Sequence, residues 1–413
     1  MIQFEKFTLS NGLKVLVHED KSTPMAVVNV LYDVGAKDED PGKTGFAHLF
    51  EHLMFGGSIN IPSYDEPLQI AGGENNAFTT NDLTNYYCQL PAENIETAFW
   101  LESDRMLSLA FSKKSLEVQR KVVCEEFKEH YINKPYGDVW KNIRELAYTT
   151  HPYRWMTIGK ELSHIENATL DDVKAFFFKH YTPANAILVV AGNVTVQQVK
   201  ELAEKWFGPI AAGEKYNRNL PAEPSQTTAK TAEIKANVPL DAIYKNWHIA
   251  PRSQPGYYIA DLITEILGGG ASSRLFQTLV KEKKLFSNID CYHLGSTDAG
   301  LLTIEGKLVK GVTMKEAEAA LNDVILQLLQ HGVTEKELEK VKNKTESMMA
   351  FEDMSVMNRA TSIAMYELLG DANLINTELQ RYQEVTADAL LQEGKIIFAE
   401  NNCSTLYYYS NQN

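Results

Sequence analysis

His48-Leu49-Phe50-Glu51-His52 is the stretch on which the reading of this 413-residue chain turns. It spells H-x-x-E-H, the mirror of the H-E-x-x-H zinc-binding pattern. Residues four apart share a helix face, so on a helix His48 and His52 offer imidazole nitrogens to one point in space. Glu51 sits beside the same point. Two neutral imidazoles suit Zn²⁺, which in catalytic sites takes three protein ligands and keeps a fourth position open to water. A carboxylate next to that position is placed to accept a proton from the water. The flanking residues Phe46, Leu49, Phe50, Leu53 and Phe55 make the helix largely apolar. Titratable groups on a buried helix are normally paired or metal-bound.

Composition sets the frame around the motif. The chain is too long for one ordinary core and long enough for two or three domains. Hydrophobic residues make up 44% and charged residues 23%, the balance of a globular protein. A formal net charge of −14 argues against nucleic acid and anionic membrane as partners. Cys88, Cys124, Cys291 and Cys403 are far apart with no C-x-x-C pair, which reads as reduced, mostly buried thiols. The first residues show no basic segment followed by an apolar one, so no signal peptide is visible. No run approaches the roughly 18 apolar residues of a membrane span. The expected location is cytoplasmic, or periplasmic if a leader has been trimmed away.

Around the motif, segment 7–17 reads as strand, Asn11-Gly12 turn and strand, and 25–34 as a further apolar strand. The motif helix ends at Gly56-Gly57, and 63–70 is a second helix. Segment 77–90 reads as one strand-like stretch. Helices are expected over 95–110, 115–131, 170–180 and 196–207, and a buried strand over 186–192. The stretch 208–236, with Pro221, Pro224 and little apolar periodicity, reads as an extended connection. Beyond it the order of elements repeats: strand 242–249, helix 257–267, strands 288–292 and 301–308, long helices 315–330 and 335–351, and closing strand 406–409. The expected fold is α+β: two duplicated α/β-sandwich domains of about 200 residues, each a mixed, largely antiparallel sheet covered by helices. The expected boundaries are 1–210 for the metal-binding domain, 211–235 for the linker and 236–413 for a homologous domain without metal.

A third ligand is needed. The helix carrying Glu117 to Glu126 offers Glu125 and Glu126, which lie about 100° apart around its axis, so only one can face a metal. Helix phase alone leaves the two open.

At this point the chain resembles the pitrilysin/insulinase-type zinc peptidases, the inverzincins, and within them the branch with mitochondrial processing peptidase and its bacterial relatives. The resemblance covers nearly the whole chain. It rests on Ser10-Asn11-Gly12-Leu13, on H-x-x-E-H with Leu53-Met54-Phe55, on Asn76-Ala77-Phe78-Thr79 with Thr84-Asn85-Tyr86-Tyr87, on the Glu117 to Glu126 stretch, and on Gly269-Gly270 with Ser272-Ser273-Arg274-Leu275. It implies a zinc metalloendopeptidase acting on unfolded or extended peptides, with one Zn²⁺ per chain and Glu51 as the catalytic base. The family places its third ligand after a pattern E-x-x-R-x-V followed by Val or Ile. Glu117, Arg120, Val122 and Val123 align to it and make Glu126 the implied ligand beside His48 and His52. The family often carries an acid seven positions earlier; here Gln119 stands there, a neutral partner for the site's surroundings. Asn76, Ala77 and Phe78 match the edge strand to which substrate adds by main-chain hydrogen bonds.

One departure bears on partners. Active members carry an Arg and a Tyr in a segment like L-R-E-x-R-G-L-A-Y in the second half. The matching stretch here is Leu279-Val280-Lys281-Glu282-Lys283-Lys284-Leu285-Phe286-Ser287-Asn288, with neither at the expected place. The resemblance therefore implies a homodimer, or a heterodimer with a paralogous chain that supplies the missing pair. It leaves a non-catalytic structural or peptide-binding homologue as the alternative. The remaining histidines, among them His130 four residues after Glu126, are expected as surface or satisfied core groups.

Overall fold

The computed structural model describes residues 1–411. By contact the chain forms two units, each drawn from both halves of the sequence. The first comprises 1–128, 155–220 and 350–377; the second comprises 129–154, 221–349 and the residues from 378 onward.

The first unit holds a six-stranded sheet. Its strands are β1 (Glu5–Thr8), β2 (Lys14–Glu19), β3 (Met25–Tyr32), β4 (Glu74–Thr79), β5 (Thr84–Pro91) and β6 (Ala186–Gly192), in the order β1-β2-β6-β3-β5-β4. Only β2 and β6 run parallel; the other neighbours are antiparallel. The second unit holds β7 (Lys230–Ala236), β8 (Ala242–Ile249), β9 (Phe286–Leu294), β10 (Gly300–Leu308) and β11 (Cys403–Ser410), in the order β7-β11-β8-β10-β9. Again one pair, β7 and β11, is parallel and the rest are antiparallel. Without β1, the two sheets have the same topology: first strand, last, second, fourth, third. The expected duplicated α+β fold with mixed, largely antiparallel sheets is the fold observed.

The central strands are apolar on both faces because both faces are covered. β6 is buried at every position. Alternate residues of a strand point to opposite sides. Val27 and Leu31 of β3 join Leu16 and Val189 in a cluster with Ala360, Ile363 and Ala364 of the helix Val356–Leu368. Tyr32, on the other face of β3, meets Tyr86 and Tyr181. Arg359 of the same helix donates to His18 Nε2 at 3.0 Å and also reaches Asp20. A late segment of the chain thus covers the first sheet. The converse holds in the second unit, where Val139, Ile143 and Ala147 of the helix Val139–Ala147 pack with Ala242, Tyr244, Leu406 and Tyr408.

Two expectations of detail are corrected. Segment 77–90 is not one strand but the β4–β5 hairpin. Thr80 donates its N–H to Leu83 O at 2.9 Å, and its hydroxyl accepts from the N–H groups of Asp82 and Leu83 at 3.1 Å. The short polar side chains of Thr80, Asn81 and Asp82 are the turn signal inside that β-rich stretch. The connection after residue 208 is irregular only as far as β7, whose partner β11 lies some 170 residues later. A strand with so distant a partner has little local signature. Helices over Leu374–Gln383 and Ala387–Ile397 complete the second half. Among the described residues no helix is long and apolar enough to cross a membrane.

Candidate metal centre

The motif forms the helix Phe46–Leu53 in the first unit. Its buried face is Phe46, Ala47, Leu49, Phe50 and Leu53, with the Phe50 ring against Phe176 and Tyr181. The opposite face carries His48, Glu51 and His52, all half-buried. The helix starts at Gly45, whose φ of +86° suits glycine. A Cβ there would lie 2.6 Å from the carbonyl oxygen of Ile158, so this position excludes any side chain.

Glycine cannot cap a helix with its own side chain. Glu39 does so from outside. Its carboxylate accepts the N–H of Gly45 at 2.9 Å and that of Ala47 at 2.8 Å. Two orphan donors of the first turn are thereby satisfied. Burial pushes the Glu39 carboxyl up to about 8, against the two N–H donors that favour its ionised form.

The third group comes from the helix Lys113–Phe127, whose N-terminus is capped by Ser112 Oγ accepting from Ser115 N–H at 2.9 Å. Val123 and Phe127 bury one side of this helix, and Arg120 ties it to the carbonyls of Glu166 and Ala168 at 3.0 and 3.1 Å. Glu126 Oε2 lies 3.4 Å from His52 Nε2 and 3.8 Å from His48 Nε2. Glu125 points away, 74% exposed and paired with Lys128 at 2.7 Å. The choice that helix phase left open is made by packing. Ligand atoms of His48, His52 and Glu126 all fall within 4.8 Å of one another, and this is the only such group of three His, Cys, Asp or Glu side chains among the described residues. Two imidazole nitrogens and one carboxylate oxygen converging at this spacing form the donor set that Zn²⁺ takes, so the residues present fit the ion.

Glu51 flanks the three. Its Oε2 accepts a 2.5 Å hydrogen bond from Thr79 Oγ1, the last residue of β4. Burial raises its carboxyl above the usual carboxylate range, opposed by the Thr79 hydroxyl and by His52. In the sequence Thr79 only ends the Asn76-Ala77-Phe78-Thr79 stretch that carries the resemblance, and nothing there assigns it this contact.

β4 lies at the outer edge of the sheet, paired only with β5. Asn76, Ala77 and Phe78 sit opposite Tyr87, Tyr86 and Asn85. The Ala77 N–H is taken by the Asn76 side chain at 2.8 Å. Phe78 packs its ring on the cluster that holds Ile363. Gln119 lies half-buried on the face of its helix that carries Glu126, two turns earlier, roughly 10 Å along the axis. His130 is exposed and outside the group of three.

Comparison with known proteins gives the family of the chain. Residues 14–160 match the model of the insulinase family, peptidase family M16, and residues 167–345 that of the peptidase M16 inactive domain. Zinc protease PqqE of Helicobacter pylori is 29% identical over 412 residues, covering 98% of this chain and 92% of that protein. The crystal structure of a protease from Helicobacter pylori superposes with a TM-score of 0.92 at 27% identity, covering 99% of this chain and 100% of the other. Pitrilysin shares the fold at a TM-score of 0.77 and 18% identity, with 98% of this chain matching 45% of that one.

Proposed function

This chain belongs to the insulinase, or M16, family of peptidases, and from that premise we propose that it is a zinc-dependent metalloendopeptidase that cleaves unfolded or extended peptides. The observation that carries the reading is the approach of Glu126, from a separate helix, to within 3.4 Å of His52 and 3.8 Å of His48. A Zn²⁺ held by His48, His52 and Glu126 would polarise the scissile carbonyl and lower the pKa of a water in its open position. Glu51 takes the proton from the attacking water on its carboxylate and returns it to the leaving amine. Thr79 holds that carboxylate in place. The free edge of β4 at Asn76, Ala77 and Phe78 receives the peptide backbone as an added strand, which restricts substrates to extended chain. Gln119 is a neutral group near the ligand helix where relatives of the family often carry an acid. Metal analysis paired with a quenched-fluorescence peptide assay tests the reading: about one zinc per chain with hydrolysis supports it, and metal-free, inactive protein refutes it.

The partner follows from the second half. Segment 279–288 lacks the Arg and Tyr of the family pattern, and the chain spans 45% of pitrilysin. We therefore propose a dimer, either of this chain or with a paralogous chain that supplies the pair. Gel filtration with activity measured on the same fractions decides it; a fully active monomer ends the idea. The four cysteines are free and buried, in keeping with a cytoplasmic location. The same missing pair favours a second reading, a non-catalytic structural or peptide-binding homologue, which would bind peptide without yielding products.

A further inference from the structure

The motif helix is only two turns long, and short helices depend on outside contacts to hold their direction. The side-chain hydrogen bonds to its first N–H groups come from Glu39, at the end of a turn formed by residues 35–39. We propose that Glu39 is a positioning residue of the metal centre, locking the ligand helix against the edge strand so that His48, His52 and Glu51 keep their angle to Thr79. This rests on the peptidase reading above.

Three observations carry it. The Glu39 carboxylate spends both oxygens on the ligand helix, one on Gly45 N–H and one on Ala47 N–H, the residue before His48. It is 5% exposed, so water does not compete for those donors. The turn that holds Glu39 is itself bonded to the end of the β4–β5 hairpin. Ala36 N–H donates to Thr80 O at 3.1 Å and Lys37 N–H to Asn81 O at 2.9 Å, directly after Thr79. Gly35 packs so closely there that a Cβ would fall 2.4 Å from Asn81 O.

The turn is held from its other sides too. Lys37 pairs with Asp82 at 2.7 Å, Asp38 with Arg218 at 2.7 Å, and Trp155 Nε1 donates to Ala36 O at 2.9 Å. One rigid turn therefore grips the two elements that meet at the Glu51–Thr79 hydrogen bond.

Glu39→Gln is the test, because it keeps the shape but turns an amide NH₂ towards one of the two N–H donors. Glu39→Asp, which keeps a carboxyl group with a shorter reach, is the second variant. Zinc affinity is measured by chelator competition, kcat and KM by peptide hydrolysis at saturating zinc, and ligand geometry by the visible spectrum of the cobalt-substituted protein. The expected result for Glu39→Gln is zinc binding weaker by about 10–100-fold, kcat down about tenfold with KM nearly unchanged, and an altered cobalt spectrum. Glu39→Asp should fall between it and the parent. Combined with Thr79→Val, the loss should be smaller than the product of the two single losses, because both act on one geometry. Parent-like zinc affinity, kcat and cobalt spectrum in folded Glu39→Gln would overturn the proposal. Amide exchange of residues 45–48 in the metal-free protein separates the two claims. If the parent binds no zinc, the peptidase reading fails by itself, and unchanged exchange in both Glu39 variants overturns the clamp independently.

Discussion

Thr79 Oγ1 donates a 2.5 Å hydrogen bond to Glu51 Oε2, joining the end of the open edge strand to the carboxylate beside the metal-ligand pair. A peptide added to β4 would therefore lie against the strand that orients the Glu51 carboxylate, the proposed proton acceptor. A hydrogen bond to a charged group contributes about 1.5–3 kcal/mol, or roughly 10- to 100-fold in rate if it acts in the transition state. Thr79→Val is expected to lose kcat in that range and keep its zinc, and Thr79→Ser to recover most of it. Steady-state kinetics with metal content on the same samples check this.

Glu51→Gln removes the proposed proton acceptor and leaves both imidazoles and Glu126 in place. Zinc content should match the parent while turnover falls by at least about 10²–10⁴-fold. Hydrolysis by this variant at the parent rate would assign the base elsewhere.

Glu125 and Glu126 are neighbours with opposite surroundings. Glu126→Gln should lose most of its zinc; Glu125→Gln should keep it, since Glu125 is 74% exposed and bonded to Lys128. Inductively coupled plasma analysis after dialysis against a weak chelator separates the two.

Arg105 is 1% exposed and forms two hydrogen bonds with Glu102, at 2.8 and 2.5 Å, with Tyr86 and Tyr64 rings on its guanidinium. Tyr86 stands opposite Ala77 in the edge hairpin, so this pair supports the strand from below. Removing one partner of a buried ion pair costs about 3–5 kcal/mol, and removing both costs less. Arg105→Met should therefore unfold at clearly lower denaturant than Arg105→Met/Glu102→Leu. Equal midpoints would mean that the charge left behind is not the cost.

Glu223 gives a pH signature to the second unit. Burial alone would raise its carboxyl; the N–H groups of His151, Thr150 and Thr149 and the Thr149 hydroxyl outweigh it and bring it down to about 2. A group whose folded pKa lies below the ordinary 4.5 adds stability above pH 4.5 and loses it as pH falls towards 2. The melting temperature of Glu223→Gln should lie below the parent at pH 7, and the gap should shrink between pH 4.5 and 2. A gap that stays constant across this window would contradict the role of the charge.

Much of the fold was legible because local patterns carry it. Local sequence pattern predicts the helix 170–180, the strand 186–192 and the strand 242–249, and the structure has each at those positions. The hairpin turn at 80–83 is easily passed over because its short polar signal, Thr80-Asn81-Asp82, stands between the β-rich runs 77–79 and 84–90. β7 was hidden because a strand at the rim of a sheet is defined by its partner, and β11 is far away in sequence. Nothing in the sequence says which sheet the helices Val139–Ala147 and Val356–Leu368 cover. An apolar face states only that it must be buried, not against what.

The sequence by itself determined that His48 and His52 share one helix face with Glu51 beside them, since that follows from a repeat of 3.6 residues per turn. Helix phase left Glu125 and Glu126 open and the family pattern implied Glu126; only the tertiary structure brings Glu126 to His48 and His52, holds Glu51 with Thr79 and caps the helix with Glu39. Those contacts join groups from 6 to more than 70 residues apart, and they form where separate apolar faces come together, which no local spacing encodes.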